Sequence, residues 1–227
     1  MGMSIIRIIP VLLTLFPAQS PAAVPRIAIL GDSIPYAGYW PALLESGLRQ
    51  NSAYRNAEIV NFSLPSETAS GLSEPGHAQG AFPRPCIHDR LDAILSRYKP
   101  TLVIACYGMN DGMMQPFSKA NFQAYQKGME RLKAKAESAK ARFIAVTPPL
   151  YMADTPEKDS ARYNAVLDIY AGWLNGQKNK GWLVADMRPG LSRQIRTAKE
   201  KNPGFIYAPD GVHPGPEAVS YTHLRAH

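Results

Sequence analysis

Five short runs rich in β-branched and other apolar residues recur along the chain, at Arg26–Leu30, Glu58–Phe62, Thr101–Tyr107, Arg142–Thr147 and Trp182–Asp186. A longer helix-patterned segment follows each of them: Trp40–Arg49, Ile87–Tyr98, Lys119–Ala139, Ser160–Gln177 and Gly190–Lys201. Uninterrupted apolar runs such as Leu102-Val103-Ile104-Ala105-Cys106 suit strands covered on both faces, which is the signature of a parallel sheet. Strand and helix in strict alternation predict a three-layer α/β/α sandwich around a five-stranded parallel sheet. In such a sheet ligands collect at the carboxyl ends of the strands, so those ends are where chemistry is to be sought.

The two ends of the chain do not share this pattern. Residues 1–22 read as an export signal, with Arg7 as the positive start, an apolar run from Ile8 to Phe16, and small residues at Ser20-Pro21-Ala22. The run is interrupted by Pro10 and is too short to span a bilayer, so a stable membrane anchor is not expected. The mature protein is expected to be exported, periplasmic or secreted. At the other end, residues 219–227, Val-Ser-Tyr-Thr-His-Leu-Arg-Ala-His, look like the translation of a transposon-type sequencing adapter. On that reading the domain covers 23–218, its own last segment is missing, and His223 and His227 leave the list of candidate catalytic histidines. An ordinary basic C-terminal helix is the alternative.

Trimming also decides what the charge means. The formal net charge of +7 falls to +5 without Arg7 and Arg225. The remaining excess gathers at Lys127, Arg131, Lys133, Lys135, Lys140 and Arg142, opposite the apolar positions Phe122, Tyr125, Met129 and Leu132. That is a solvated helix face, without the aromatic interleaving or motif a nucleic-acid partner would require. A composition of 45% hydrophobic and 19% charged residues excludes disorder, and two cysteines cannot build a disulfide framework. Cys106 falls within a buried strand and Cys86 at a loop end; separate thiols are favoured, and a bridge is the alternative.

The polar residues stand at the strand ends. The first strand runs into Gly31-Asp32-Ser33, the second into Asn61-Phe62-Ser63, and the third into Gly108-Met109-Asn110-Asp111; Asp210-Gly211-Val212-His213 comes near the C-terminus. Between the second strand and its helix lies a long segment, 63–86, carrying four prolines and three glycines. Long ordered loops of this kind usually have a function, and this one is expected to form a rim of the site. Taken singly, each block could be a cap or a turn. Together, in one order and at one edge of a sheet, they resemble the SGNH (GDSL-type) esterase and lipase superfamily, and the resemblance runs from Gly31 to His213.

That resemblance implies a catalytic triad with Ser33 as nucleophile, His213 as general base and Asp210 as the carboxylate that orients it. A hydroxyl is a poor nucleophile until a neutral imidazole can take its proton. It also implies an oxyanion hole made of the Ser33 N–H, the N–H of a glycine after the second strand, and an Asn side chain. The last maps onto Asn110; the middle position maps onto Ser63, where the pattern has glycine. Gly31, Asp32, Gly108 and Asp111 are the supporting motif residues. His77 and His88 have no carboxylate at a comparable spacing and are expected in the rim and at a helix start.

The implied activity is a serine esterase cleaving carboxylic esters through an acyl-enzyme, with no metal and no cofactor. A small-molecule or carbohydrate ester is the expected substrate, acetyl on a carbohydrate being the candidate. Met113, Met114, Phe117, Tyr151 and Met152 could instead furnish an apolar rim for a longer acyl chain. Two alternatives stand beside this reading. A metal-dependent phosphoesterase also uses Asp, Asn and His at strand ends, but wants further ligands than this chain offers. A non-catalytic carbohydrate-binding relative would not need all of Ser33, Asn110, Asp210 and His213. No residue pattern assigns an oligomeric state.

Overall fold

The computed structural model describes residues 24–153, 160–215 and 218. The segment read as an export signal and the tail from 219 onward lie outside the described residues. Five strands, β1 (Arg26–Gly31), β2 (Glu58–Asn61), β3 (Leu102–Cys106), β4 (Arg142–Val146) and β5 (Leu183–Ala185), form one parallel sheet in the order β2-β1-β3-β4-β5. The helices are α1 (Ser33–Tyr36), α2 (Tyr39–Gln50), α3 (Leu91–Tyr98), α4 (Lys119–Ser138), α5 (Ser160–Gln177) and α6 (Arg188–Lys201). The expected α/β fold and its five-stranded parallel sheet are therefore found.

Alternation along each strand assigns its side chains to two cores. Ala28, Leu30, Val103, Ala105, Phe143 and Ala145 pack with Leu91 of α3, Met129 and Leu132 of α4, and Leu167 and Tyr170 of α5. Ile27, Ile29, Ile104, Ile144 and Val146 face the other way, against Leu44 and Leu48 of α2 and Met187 at the start of α6. All five residues of β3 are buried, as its unbroken apolar run predicts. Each fully covered Ile or Leu contributes on the order of 1.5–3 kcal/mol, so the sheet is a firm base for the loops above it. The chain leaves β1 for β2 on one side and then crosses to β3 on the other, which puts the topological switch point between β1 and β3.

Several boundaries differ from the periodicity, each for a local reason. The segment expected as one helix from Ile87 is a 3₁₀ turn, Ile87–Asp89, followed by α3. The Ile87 N–H is drawn to Thr68 O instead of into a helix, and Arg90 has φ −125°. The last strand begins one residue late because the Trp182 N–H still closes the preceding turn on Gln177 O. Helix α6 begins at Arg188, two residues early, with a proline in its first turn where a missing N–H does no harm. The four-residue α1 is too short to show in any periodicity.

The long segment 63–86 is closed on itself rather than loose. Thr68 and Cys86 form a parallel bridge, with the Thr68 N–H on Pro85 O at 3.0 Å and the Ile87 N–H on Thr68 O at 3.2 Å. Farther out, the Arg84 guanidinium forks onto Glu74 at 2.6 and 2.7 Å. Its base is pressed onto α4, where a Cβ on Gly128 would lie 2.0 Å from Ala69 O. His88 reaches the same turn, with Nε2 3.1 Å from Gly128 O. Both cysteines are free thiols.

Candidate active site

At the end of β1 the chain turns in a space that admits no side chain. A Cβ on Gly31 would stand 2.6 Å from Cys106 O and 2.4 Å from Pro35 Cγ. Asp32 follows, buried, with Oδ1 accepting the Ile34 N–H at 2.9 Å as the N-cap of α1. That cap leaves Ser33 as the first helical residue, its N–H donating to no protein group among the described residues. Burial pushes the Asp32 carboxyl up to about 7; the cap bond opposes the shift, and the charges of Asp111 and Glu67 add to it.

The second half of the site arrives 180 residues later. Asp210 Oδ1 accepts the N–H groups of Val212 and His213 at 2.8 and 2.7 Å, which folds Asp210–His213 into one tight turn. Oδ2 is thereby left for His213 Nδ1 at 2.6 Å, and His213 Nε2 lies 2.7 Å from Ser33 Oγ. The turn is held from behind by the Met152 N–H on Gly211 O at 2.8 Å, while Asn164 of α5 both accepts from and donates to the Tyr151 backbone. Gly211 needs to be glycine, with φ +90° and a Cβ position 2.9 Å from Ala153. Partial burial pushes the Asp210 carboxyl upward, but the bonds from His213 and Val212 outweigh it and hold the group below the ordinary carboxylate range. Side-chain exposures of 44% for His213 and 51% for Asp210 leave this edge open to solvent.

At the end of β3, Gly108 (φ +125°) packs on Pro148 and turns the chain so that Asn110 is buried. Its Nδ2 donates one hydrogen to Glu67 O at 3.3 Å, which leaves the second amide hydrogen for another acceptor. Asp111 Oδ1 accepts the Ser70 N–H at 2.7 Å and ties the long loop to β3. Burial pushes the Asp111 carboxyl up to about 6 against the bonds it accepts.

Ser63 does not fit the role the motif implied. Its N–H donates to Asn61 Oδ1 at 3.1 Å, an Asx turn that closes the end of β2, so that donor is already spent. The glycine-like position lies three residues on. Leu64-Pro65-Ser66-Glu67 is a turn closed by the Glu67 N–H on Leu64 O at 3.2 Å, with proline second and Ser66 third at φ +65°. A turn of this form usually has glycine third, and its third N–H is turned out of the closing bond. The Ser66 N–H donates to no group among the described residues. The signal for it was present as Pro65 followed by a small residue, and counting from the strand end missed it.

Other expected residues separate. His77 Nδ1 sits 3.6 Å from Glu74 within the loop, and His88 is tied to Gly128; neither meets a serine hydroxyl among the described residues. Of the candidate apolar rim, Met113 and Tyr151 are buried packing residues, whereas Met114 and Phe117 are exposed. No three His, Cys, Asp or Glu side chains among the described residues converge to hold a metal ion. No described helix is long and apolar enough to cross a membrane.

The model of the GDSL-like lipase/acylhydrolase family matches residues 29–219. Esterase TesA of Pseudomonas aeruginosa is 32% identical over 190 residues, covering 77% of this chain and 85% of the relative. Among solved structures, a gut microbial diltiazem-metabolizing enzyme superimposes with a TM-score of 0.65 at 17% identity. The match covers 92% of this chain and 48% of that one, so this chain spans about half its length. A catalytic mutant of Axe2, an acetylxylan esterase from Geobacillus stearothermophilus, gives a TM-score of 0.62 at 17% identity, covering 91% and 94% of the two chains.

Proposed function

The chain belongs to the GDSL-like lipase/acylhydrolase family, and on that premise we propose that it hydrolyses carboxylic esters through an acyl-enzyme formed on Ser33. The observation that carries the proposal is the continuous chain Asp210 Oδ2–His213 Nδ1, 2.6 Å, and His213 Nε2–Ser33 Oγ, 2.7 Å. Asp210 accepts the Nδ1 hydrogen and so presents the lone pair of Nε2 to the serine. Ser33 Oγ attacks the ester carbonyl carbon as its proton passes to Nε2. The tetrahedral intermediate then expels the alcohol, which takes that proton. Water, deprotonated by the same imidazole, splits the acyl-enzyme and restores Ser33.

The oxyanion of each intermediate needs preorganised donors. The Ser33 N–H, the Ser66 N–H and the second Nδ2 hydrogen of Asn110 are the three proposed here, with Ser66 taking the place that Ser63 was expected to fill. The open edge at His213 and Asp210 suits a bulky alcohol with a small acyl group. Acetylated carbohydrate is the candidate class, as in the name of the acetylxylan esterase whose fold this chain shares. The charge pattern and apolar run of the first 22 residues support export ahead of that reaction.

A fluorophosphonate probe and a series of p-nitrophenyl esters test this. Labelling is expected on Ser33 and lost, with turnover, in Ser33→Ala; rates are expected to fall steeply beyond acetate. Turnover that survives Ser33→Ala, or that a chelator abolishes, overturns the serine mechanism.

A further inference from the structure

Glu67 has no place in the chemistry just described, yet its side chain is wholly buried. A carboxylate withdrawn from water must be paired, and this one is paired with unusual completeness. Arg90 forks onto it, Nε to Oε1 at 2.6 Å and Nη2 to Oε2 at 2.7 Å. The Tyr107 hydroxyl donates to Oε2 at 2.6 Å from the end of β3. Arg90 Nη2 also donates to Phe62 O at 2.5 Å, at the end of β2. The carboxylate is thus a node joining β2, β3 and the entry to α3.

The backbone of the same residue faces the reaction. The Glu67 N–H closes the turn that holds Ser66 at φ +65°, and the Glu67 carbonyl accepts from Asn110 Nδ2 at 3.3 Å. One residue therefore touches two of the three proposed oxyanion donors. Ser66 needs such support, because a non-glycine residue in the left-handed region is held only by its surroundings. Asn110 needs it as well, because fixing one amide hydrogen on Glu67 O sets where the other points.

We propose that Glu67, anchored by Arg90 and Tyr107, is the positioning residue of the oxyanion hole, aiming the Ser66 N–H and the Asn110 amide at one point. The inference rests on the esterase reading and deepens it. Its logic is geometric: oxyanion donors act only within hydrogen-bond reach of the developing charge, and a displacement of about 1 Å can lower a rate by on the order of 10²-fold. The three groups form no bond to substrate; they fix the backbone that does.

The test must separate positioning from folding. Removing Arg90 alone would strand a buried charge, so the informative variant is Glu67→Gln with Arg90→Met, in which both charges go together. Its thermal midpoint is expected near that of wild type. With p-nitrophenyl acetate, kcat should fall by roughly 10- to 100-fold while KM stays within about threefold, and fluorophosphonate labelling of Ser33 should slow in parallel. Tyr107→Phe removes one anchor and no charge, so it is expected to fold even if the double variant does not; its kcat should fall severalfold at unchanged KM. Either variant, folded and with kcat within twofold of wild type, overturns the positioning role while leaving the esterase reading intact. A wild-type protein that turns over no ester and leaves Ser33 unlabelled overturns both.

Discussion

Asp32 offers a stability test whose sign depends on pH. Its carboxyl is 2% exposed and is pushed from the ordinary 3.8 up to about 7, chiefly by burial. A group whose pKa rises on folding favours the folded state fully below its unfolded value and loses that contribution as pH rises through its folded value. Near pH 4 Asp32 is protonated in the folded protein and carries little penalty. At pH 8 it is ionised, and a shift of about three units corresponds to a penalty of roughly 4 kcal/mol. Asp32→Asn keeps the Oδ1 acceptor that caps α1 and cannot ionise. It also buries an amide N–H₂ where an oxygen stood, which costs about 1–3 kcal/mol if unpaired. The variant should therefore be more stable than wild type by about 1–3 kcal/mol at pH 8. Near pH 4 it should be equal or less stable. Urea unfolding of both proteins at the two pH values measures this directly. An Asn variant whose stability difference from wild type is the same at pH 4 and pH 8 would refute the claim that burial keeps this carboxyl protonated.

Two further substitutions probe the site and its support. Asn110→Ala should lower kcat by on the order of 10²–10³ with little change in KM, as loss of one oxyanion donor does; steady-state kinetics on a short ester checks it, and an unchanged kcat would remove Asn110 from the hole. Gly128→Ala places a methyl 2.0 Å from Ala69 O, so the base of the long loop must shift; a loss of about 1–3 kcal/mol is expected, read as a thermal midpoint lower by roughly 2–4 °C per kcal/mol.

The sheet was legible because burial on both faces writes itself into the chain as runs like Leu102–Cys106, and helices α2, α4 and α5 show their apolar spacing directly. What escaped were places where a distant partner overrides local pattern. Ile87 reads as helix until Thr68 O takes its N–H, and Arg90 leaves helical φ/ψ as its guanidinium reaches Glu67 and Phe62. Ser33, Asn110, Asp210 and His213 stand in recognisable blocks because each block is itself a tight local structure. The expectation for Ser63 met a partner the pattern hides, because nothing in Asn61-Phe62-Ser63 reveals that the Asn side chain consumes the Ser63 N–H. Left-handed φ at Ser66 is carried by a serine, which hides the position from a search for glycine.

A deeper constraint emerges from the charges behind the site. The proposed reaction gathers negative charge near Ser33, yet three acids, Asp32, Glu67 and Asp111, are buried close enough to one another to couple. Like charges there would oppose an oxyanion as they oppose each other. The protein resolves this in two ways. Glu67 is matched by the forked Arg90 guanidinium, which offsets its field while its hydrogen bonds serve the proposed positioning. Asp32 and Asp111 are instead pushed up by burial, to about 7 and about 6, and hold their protons below those values, while Asp32 accepts the N–H that shapes its turn and Asp111 the N–H that ties the long loop to β3. A neutral carboxyl can cap a turn without adding charge to the hole. The Asp of the Gly-Asp-Ser block is thus suited to its place because, below about 7, burial suppresses the very property that distinguishes it from Asn.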